Sequence, residues 1–241
     1  VGYPKGAIWE YLMTLANSNY EDWRLANPNE DIDNFKFSFS KMSKAGALFD
    51  MVKLADVSKN YICRLSAEEV YEMVTDWAKE NNKKLYKLLV DDEEYAKAIF
   101  AIERGNAKPR KDISAWTDVE NYVSYFYSEL WDRKFDFPDN LSNDDMIEIL
   151  ELYKQIYDEN VSSDDWFPQV RDMAETIGYA KAPKVYKKDP DSYKGHVGDV
   201  AGVIRVAATG RRNTPDLYEI LQVLGKDEVM KRFDEAIESL R

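Results

Sequence analysis

The spacing of apolar residues limits this chain to a helical fold. Along nearly its whole length, apolar side chains recur three and four residues apart, the spacing of one face of an α-helix. Such faces are predicted in segments 4–17, 66–80, 91–104, 142–157, 163–178, 195–210, 214–225 and 226–240. Only segment 34–39, where Phe35, Phe37 and Phe39 alternate with polar residues, has the spacing of an extended strand. The sequence therefore predicts an all-α protein of many helices.

Residues at the segment ends predict where several helices begin and stop. Ser66 followed by Glu69 predicts a capping box, in which the hydroxyl and the carboxylate each bind a free backbone N–H. Thr214 is predicted as the N-cap of a helix that has Pro215 at its first position and ends before Gly225. The first segment is expected to bury four apolar side chains, namely Ile8, Tyr11, Leu12 and Leu15. The last is expected to bury Val229, Phe233, Ile237 and Leu240.

The rare residue types argue against common catalytic and metal sites. Cys63 is the single cysteine, so no intrachain disulfide forms, and a reducing, cytoplasmic setting fits. Its apolar context favours an inert core thiol over a reactive one. His196 is the single histidine and has no cysteine nearby, so we predict neither a zinc site nor a Ser–His–Asp triad. No apolar run approaches the roughly 20 residues that span a bilayer, so no membrane partner is expected.

Charge is distributed unevenly along the chain. The net charge is −12, which argues against general binding to nucleic acid, including DNA. Residues 179–214 nevertheless carry eight Lys and Arg residues against three Asp residues, and a second basic cluster is KPRKD at 108–112. These segments are either solvated surface or local sites that face phosphates.

The segment KMSKA at 41–45 differs by one letter from the KMSKS loop with which class I aminoacyl-tRNA synthetases bind ATP. That loop needs a dinucleotide-type fold and an HIGH-like sequence before it. Only 40 residues precede Lys41, none of them is His, and the chain has no Gly-rich strand–loop–helix phosphate cradle. We therefore interpret KMSKA as a chance match, with an ATP-using enzyme kept as an alternative that ATP binding would test.

Three segments carry a resemblance to a known family. FKFSFSKMSKAGALFDMVKLADVSKNYI at 35–62, GYPKGAIWEYLMTLANS at 2–18 and IRVAATGRRNTPDLYEILQVLGKDEVMKRFDEAI at 204–237 resemble stretches of bacterial-type glutamyl-tRNA synthetases. The resemblance covers nearly the whole chain and is loose between about 66 and 190. It implies the C-terminal part of such an enzyme without the catalytic half. Val1, in place of Met, fits an excised fragment.

The resemblance implies a division into three parts and a nucleic-acid partner. Residues 1–65 would form a stem-contact region, 66–133 a first helical anticodon-binding domain and 134–241 a second. The implied partner is tRNA-Glu, bound by a cytoplasmic monomer at the anticodon loop and the inner corner of the L. ATP and magnesium would act only in the missing catalytic domain, so this chain is expected to hold no cofactor, no metal and no catalytic residue.

The same resemblance implies which residues contact the anticodon. Arg110 matches an Arg that follows Pro in the first anticodon domain. The C-terminal match supplies Arg205, expected to stack on a base, and the helix start at Thr214, Pro215, Leu217 and Tyr218. Most of them have an alternative: Arg110 as a solvated surface residue, Arg205 as the partner of Asp199 or Asp216, Thr214 and Pro215 as an ordinary helix cap and Tyr218 as a packing residue.

Lysines are expected to contact the tRNA backbone without reading sequence. The expected contacts are Lys41, Lys44, Lys108, Lys111, Lys187, Lys188 and Lys194. Exposed solvation is their alternative. A helical protein-interaction scaffold derived from the same module is the alternative for the whole chain, favoured if the basic segments prove inaccessible.

Overall fold

The computed structural model describes residues 2–42 and 48–241, and the regular structure in these two ranges is helical. Apart from short 3-10 turns and one isolated parallel bridge between Ala180 and His196, it consists of thirteen α-helices there. The all-α prediction is confirmed. The helices are α1 (Lys5–Ala16), α2 (Tyr20–Ala26), α3 (Met51–Ile62), α4 (Ala67–Asn81), α5 (Lys83–Asp91), α6 (Glu93–Ala101), α7 (Val119–Val123), α8 (Asn143–Ile156), α9 (Ser163–Thr176), α10 (Pro183–Tyr186), α11 (Val197–Thr209), α12 (Leu217–Leu224) and α13 (Lys226–Leu240).

The chain divides into two compact units, Val1–Tyr127 and Ser128–Arg241. In the first, α1 packs on α3, and α4 packs on α5 and α6. In the second, α11 packs on α8, α9 and α13, and α13 also packs on α8 and α12. The predicted stem-contact region and most of the predicted first anticodon domain both fall within the first unit. The three-part division itself stays a prediction.

Helix α11 lies at the centre of the second unit, as its small and apolar residues predict. Eight of its side chains are buried, from Val197 to Thr209. The inward face predicted for α13 is confirmed, because Val229, Phe233, Ile237 and Leu240 are all buried. Arg232, on the same helix, is also buried. It donates from Nε to Glu228 at 2.8 Å and from Nη1 to the carbonyl oxygen of Ala208 at 2.7 Å, so α13 is tied to the end of α11.

The inward face predicted for α1 is wrong in part. Tyr11 is buried, but Ile8 and Leu12 are exposed, and Glu10 is buried in their place. The carboxylate of Glu10 lies 3.0 Å from the guanidinium of Arg24 and 2.6 Å from that of Arg64. Burying a carboxylate costs less when guanidinium groups bind it, and the two guanidinium groups here accompany the inward side of α1 that carries Glu10.

Two predicted helix starts differ in outcome. The capping box at Ser66 is confirmed: its hydroxyl accepts from the Glu69 N–H, and the Glu69 carboxylate accepts from the Ser66 N–H at 2.7 Å. The start predicted at Thr214 and Pro215 is wrong, since α12 begins at Leu217 with Asp216 as its N-cap. The Asp216 carboxylate accepts from the Glu219 N–H at 2.9 Å. In segment 34–39, the backbone is extended at Phe35 and Ser38, and a 3-10 turn begins at Phe39. Gly178 lies just after the end of α9 and has a φ of 86°.

Candidate functional site

Arg110 lies in the connection between α6 and α7 of the first unit. Its Nε and Nη2 atoms donate to the two carboxylate oxygens of Asp112, at 2.7 and 2.9 Å. The Glu103 carboxylate lies 3.7 Å from Nε. The sequence predicted an Arg free to reach a base. The structure instead shows a guanidinium held in one orientation by a bidentate pair.

The pair with Asp112 uses only one edge of the Arg110 guanidinium. Among residues 2–42 and 48–241, no hydrogen bond from Nη1 is found, and the side chain is partly exposed. An Arg side chain has five N–H donors in a planar fork. The edge formed by Nη1 and Nη2 therefore has the geometry for a second bidentate contact, and Asp112 fixes the direction in which it points.

The C-terminal candidates converge on the connection between α11 and α12. Arg205, on α11, donates from Nη1 to the carbonyl oxygen of Pro215 at 2.6 Å and to the carbonyl oxygen of Thr214 at 3.3 Å. The same atom contacts the Thr214 hydroxyl. Backbone carbonyl groups are partners that sequence reasoning did not consider for Arg205. They also explain the later start of α12, because Arg205 ties residues 214 and 215 into a turn.

The candidates around this turn are more buried than a direct base contact would suggest. Thr214, Pro215 and Leu217 are all buried. Tyr218 is partly buried; its hydroxyl donates to the carbonyl oxygen of Val161 at 2.9 Å and its ring lies 6.1 Å from that of Trp166. The packing alternative for Tyr218 thus has direct contacts to support it. The residues from Thr214 to Leu217 therefore support the turn from its buried side.

The exposed part of the same connection was not among the predicted site residues. Arg212 and Asn213 are exposed just before the turn. Arg212 donates from Nε to the carbonyl oxygen of Asp136 at 2.9 Å and lies 3.1 Å from the Asp136 carboxylate. Arg211 and Arg212 belong to the basic segment 179–214, and the signal that could have selected them is their position beside the Thr-Pro turn.

Most of the predicted phosphate-contacting lysines are accessible. Lys41, Lys108, Lys111, Lys187 and Lys188 are exposed, and no ion pair holds them within the described ranges. Lys194 differs, because its ammonium group lies 2.7 Å from Asp145 and 3.0 Å from Glu148. A phosphate would have to replace these carboxylates. Lys44 lies outside the described residues.

The two rare residues have structural surroundings. Cys63 is buried at the end of α3, and burial raises the pKa of its thiol. His196 caps α11: its Nδ1 accepts from the Gly198 N–H at 3.0 Å, and its backbone N–H donates to Asp199 at 2.8 Å. Within residues 2–42 and 48–241, no cluster of His, Cys, Asp and Glu could hold a metal ion, and no helix is long and apolar enough to cross a membrane.

Residues 191–237 match the model of a family described as an anticodon binding domain. This range contains Arg205, the turn before α12 and Tyr218. It also contains α11, α12 and most of α13, so the match covers the helices that form the C-terminal candidate site. Arg205 and the residues from Thr214 to Tyr218 therefore lie inside the matched range, whereas Arg110 lies outside it.

Curated relatives align with almost the whole chain. A glutamate–tRNA ligase of Clostridium perfringens (strain SM101 / Type A) is 44% identical over 236 residues, covering 96% of this chain and 43% of the relative. One from Acetivibrio thermocellus is 44% identical over 232 residues, covering 96% of this chain and 42% of the relative. The chain thus spans less than half the length of these relatives.

A solved structure has the same fold. The crystal structure of a glutamate tRNA ligase from Elizabethkingia meningosepticum CCUG26117, in complex with its amino acid, aligns with a TM-score of 0.62 at 20% identity. The alignment covers 100% of this chain and 42% of that one. The helical architecture is thus shared even where the sequences have diverged.

Proposed function

We propose, from its homology to the C-terminal part of glutamate–tRNA ligases, that this chain binds the anticodon loop of tRNA-Glu. The observation that carries the proposal is the anticodon binding domain match at residues 191–237, which includes the Arg205 turn. The relatives are ligases, and the chain corresponds to a part of them outside the catalytic region. Binding, and not aminoacylation, is therefore the function proposed for it.

In this proposal Arg205 is a positioning residue at the C-terminal site. Its hydrogen bonds to the carbonyl oxygens of Thr214 and Pro215 fix the turn before α12. The exposed Arg212 and Asn213 then meet the RNA from a rigid connection. Reading of single-stranded loops relies on unstacked bases that meet side chains held in place. The proposed framework of the site consists of Arg205, Thr214, Pro215, Leu217 and Tyr218. Contacts to the bases would be made beside this framework, by the exposed Arg212 and Asn213.

Arg110 is proposed as the second contact to the anticodon. Asp112 holds the guanidinium through Nε and Nη2, which leaves the Nη1 edge for a base. An Arg that is fixed in advance loses less conformational entropy on binding than a mobile one. Asp112 is thus a positioning residue, and Arg110 is the group that would touch the third anticodon base.

The lysines are proposed to bind phosphates. Lys187 and Lys188 lie beside α10 in the second unit, and Lys108 and Lys111 flank Arg110 in the first. Lys41 is proposed to face the inner corner of the L, together with Lys44. Lys194 would contribute only after exchanging its carboxylate partners. Such contacts position the RNA and make the affinity dependent on salt.

The remaining properties follow from the same family relationship. Activation of glutamate with ATP and Mg²⁺ is proposed for the part of the ligase that this chain does not cover. We propose a cytoplasmic monomer with a stem-contact region at 1–65 and anticodon-binding domains at 66–133 and 134–241.

Binding to an RNA hairpin with the anticodon stem and loop of tRNA-Glu tests the function. We expect the chain to bind this hairpin more tightly than one of the same length with a scrambled loop. Lys187→Ala with Lys188→Ala is expected to weaken both complexes and to flatten the dependence of affinity on salt. Lys79→Ala, on the exposed side of α4, is the control.

Two outcomes would contradict the proposal. Equal and salt-sensitive binding to both hairpins would mean that the basic segments act only through charge. Absence of binding to either hairpin would favour the alternative, a helical protein-interaction scaffold.

A further inference from the structure

Three aromatic rings form a continuous series in the second unit, in the segment before α8. The Trp131 ring contacts that of Phe135 edge to face, with centroids 5.9 Å apart. The rings of Phe135 and Phe137 are stacked, with centroids 5.8 Å apart and an angle of 24° between their planes. Trp131 is buried, whereas Phe135 and Phe137 are partly exposed, and we call these two the aromatic platform. The series therefore begins in the core and ends at the surface.

The buried end of the series is held by cationic side chains. The guanidinium of Arg232, buried on α13, lies 4.1 Å from the centre of the Trp131 ring. That of Arg133 lies 5.9 Å from the same centre and is paired with Glu235, also on α13. Trp131 is thus fixed in place, and Phe135 packs against a fixed ring.

The main chain that carries the platform is bound to the connection after α11. The Asp136 N–H donates to the carbonyl oxygen of Gly210 at 3.1 Å. Arg212 donates from Nε to the carbonyl oxygen of Asp136 at 2.9 Å and from Nη2 to that of Phe137. The platform is therefore held in one position beside Arg212, and a surface that is fixed in advance loses less entropy when it binds a ligand.

The charges beside the platform favour a neutral ring over a phosphate. The Arg212 guanidinium lies 3.1 Å from the Asp136 carboxylate and 3.7 Å from that of Asp139. These carboxylates offset the charge of Arg212 and would repel a phosphate. Nucleobases are flat and uncharged, and they stack on aromatic side chains in single-stranded RNA complexes. The exposed Asn213 follows Arg212 and carries an amide that can both donate to and accept from a base edge.

We propose that one unpaired base of the anticodon loop stacks on Phe137. One face of this ring lies against Phe135, and within residues 2–42 and 48–241 no further aromatic ring contacts it. The other face is thus the end of the series and the place for a base. This inference rests on the proposed function and adds to it a stacking surface that lies outside the matched range 191–237.

Photo-crosslinking locates the stacked base directly. Anticodon hairpins of tRNA-Glu would carry iodouridine at one loop position at a time, because an iodinated base crosslinks on irradiation to an aromatic ring on which it stacks. Mass spectrometry of the whole chain then identifies the crosslinked residue. We expect one loop position to give crosslinks at Phe137, and a scrambled loop to give several-fold fewer. Hairpins that bind but crosslink only to other residues, or to none, would overturn the proposal.

Substitution of Phe137 gives a second test. Phe137→Leu keeps an apolar side chain but removes the flat face, so it should weaken hairpin binding about tenfold, the usual effect of losing one base–aromatic stack. Phe137→Tyr keeps the ring and should bind as wild type does. Phe37→Leu is the matched control, since Phe37 is exposed in the first unit and its ring also contacts another Phe ring, that of Phe39, at 5.5 Å.

The outcomes separate the stacking surface from the proposed function. Equal hairpin affinity of wild type and Phe137→Leu, with the preference for the anticodon loop intact, would overturn the stacking surface alone. Equal binding of wild type to the anticodon and scrambled hairpins would overturn both. Urea midpoints of the variants show whether Phe137→Leu also destabilises the second unit, and in that case the crosslink in wild type decides.

Discussion

Arg205 on α11 donates from Nη1 to the carbonyl oxygen of Pro215 at 2.6 Å, so the turn before α12 is held by the middle of the preceding helix. The Thr214 carbonyl group accepts from the same atom at 3.3 Å. One cationic side chain therefore donates to two backbone carbonyl groups in a buried turn. The Pro215 carbonyl oxygen also accepts from the Thr214 hydroxyl at 3.1 Å. This contact connects the core of the second unit to its proposed RNA-binding edge.

Replacing Arg205 should destabilise the second unit and weaken RNA binding together. For Arg205→Ala we expect a loss of about 2 kcal/mol in the free energy of unfolding, the usual cost of removing a hydrogen bond to a charged group. Urea unfolding followed by circular dichroism measures it. Arg205→Lys should restore part of the stability but not the full hairpin affinity, because one ammonium group does not reproduce the planar fork. Unchanged hairpin binding by Arg205→Ala would show that the turn has no part in recognition.

Gly210 should not tolerate a side chain. It ends α11 at φ 76°, and a Cβ atom there would lie 2.4 Å from the carbonyl oxygen of Lys134. Gly210→Ala is expected to lower the free energy of unfolding by more than about 1 kcal/mol. Gly202→Ala is the matched control, since Gly202 lies inside α11 and a Cβ atom added to it would meet no atom within 4 Å beyond its chain neighbours and the adjacent backbone of α11. It should stabilise the protein by up to about 1 kcal/mol, and a thermal melt of both variants compares the two effects.

The buried Arg232 should be essential for packing α13. Its guanidinium lies 4.1 Å from the centre of the Trp131 ring, besides its bonds to Glu228 and to the carbonyl oxygen of Ala208. We expect Arg232→Met to cost about 2 kcal/mol, because the carbonyl group of Ala208 loses a charged donor. Arg241→Met, at the exposed C-terminus, is the control. A melting temperature equal to that of wild type for Arg232→Met would show that the contacts of Arg232 with Glu228, Ala208 and Trp131 do not stabilise the unit.

Acid should weaken the contact between Lys194 and Asp145. Hydrogen bonding from Lys194, with that from Ser142, lowers the pKa of the Asp145 carboxyl below its ordinary value. A group with a depressed folded-state pKa adds stability above its unfolded pKa of about 4, and that stability is lost as the pH falls through the folded pKa. Urea midpoints of wild type and Lys194→Met should therefore differ at pH 7 and converge below about pH 4. Lys188→Met is the control, and a pH-independent difference for Lys194→Met would exclude this pairing as its cause.

The features of the fold that were predicted correctly depend only on residues close together in the sequence. The Ser66 capping box needs only residues 66 and 69, and the buried face of α13 needs only its own spacing. The buried side of α1 could not be predicted in the same way. Glu10 is buried because Arg24 and Arg64, distant in sequence, bind its carboxylate.

The candidate site shows the same limit. The sequence selected Arg110, Arg205 and the residues from Thr214 to Tyr218. It offered Asp199 or Asp216 as a partner for Arg205, but not the backbone carbonyl groups of Thr214 and Pro215. The start of α12 was misplaced by two residues because a distant side chain, Arg205, binds the carbonyl groups at 214 and 215. An ion pair between Arg110 and Asp112 could be suspected because the two residues are close in sequence. Its bidentate geometry could be seen only in the structure.

The central claim is that Arg110 contacts the third anticodon base of tRNA-Glu. Measuring how well the chain discriminates that base tests this claim most directly. Affinities would be measured for a tRNA-Glu transcript and for the same transcript with that base changed, using wild type and Arg110→Ala. Asp112→Asn should weaken discrimination partly, because it loosens the guanidinium without removing it. We expect wild type to prefer the native transcript by about 1–3 kcal/mol, the usual value of a direct base contact, and Arg110→Ala to lose that preference. Equal discrimination by wild type and Arg110→Ala would contradict the account.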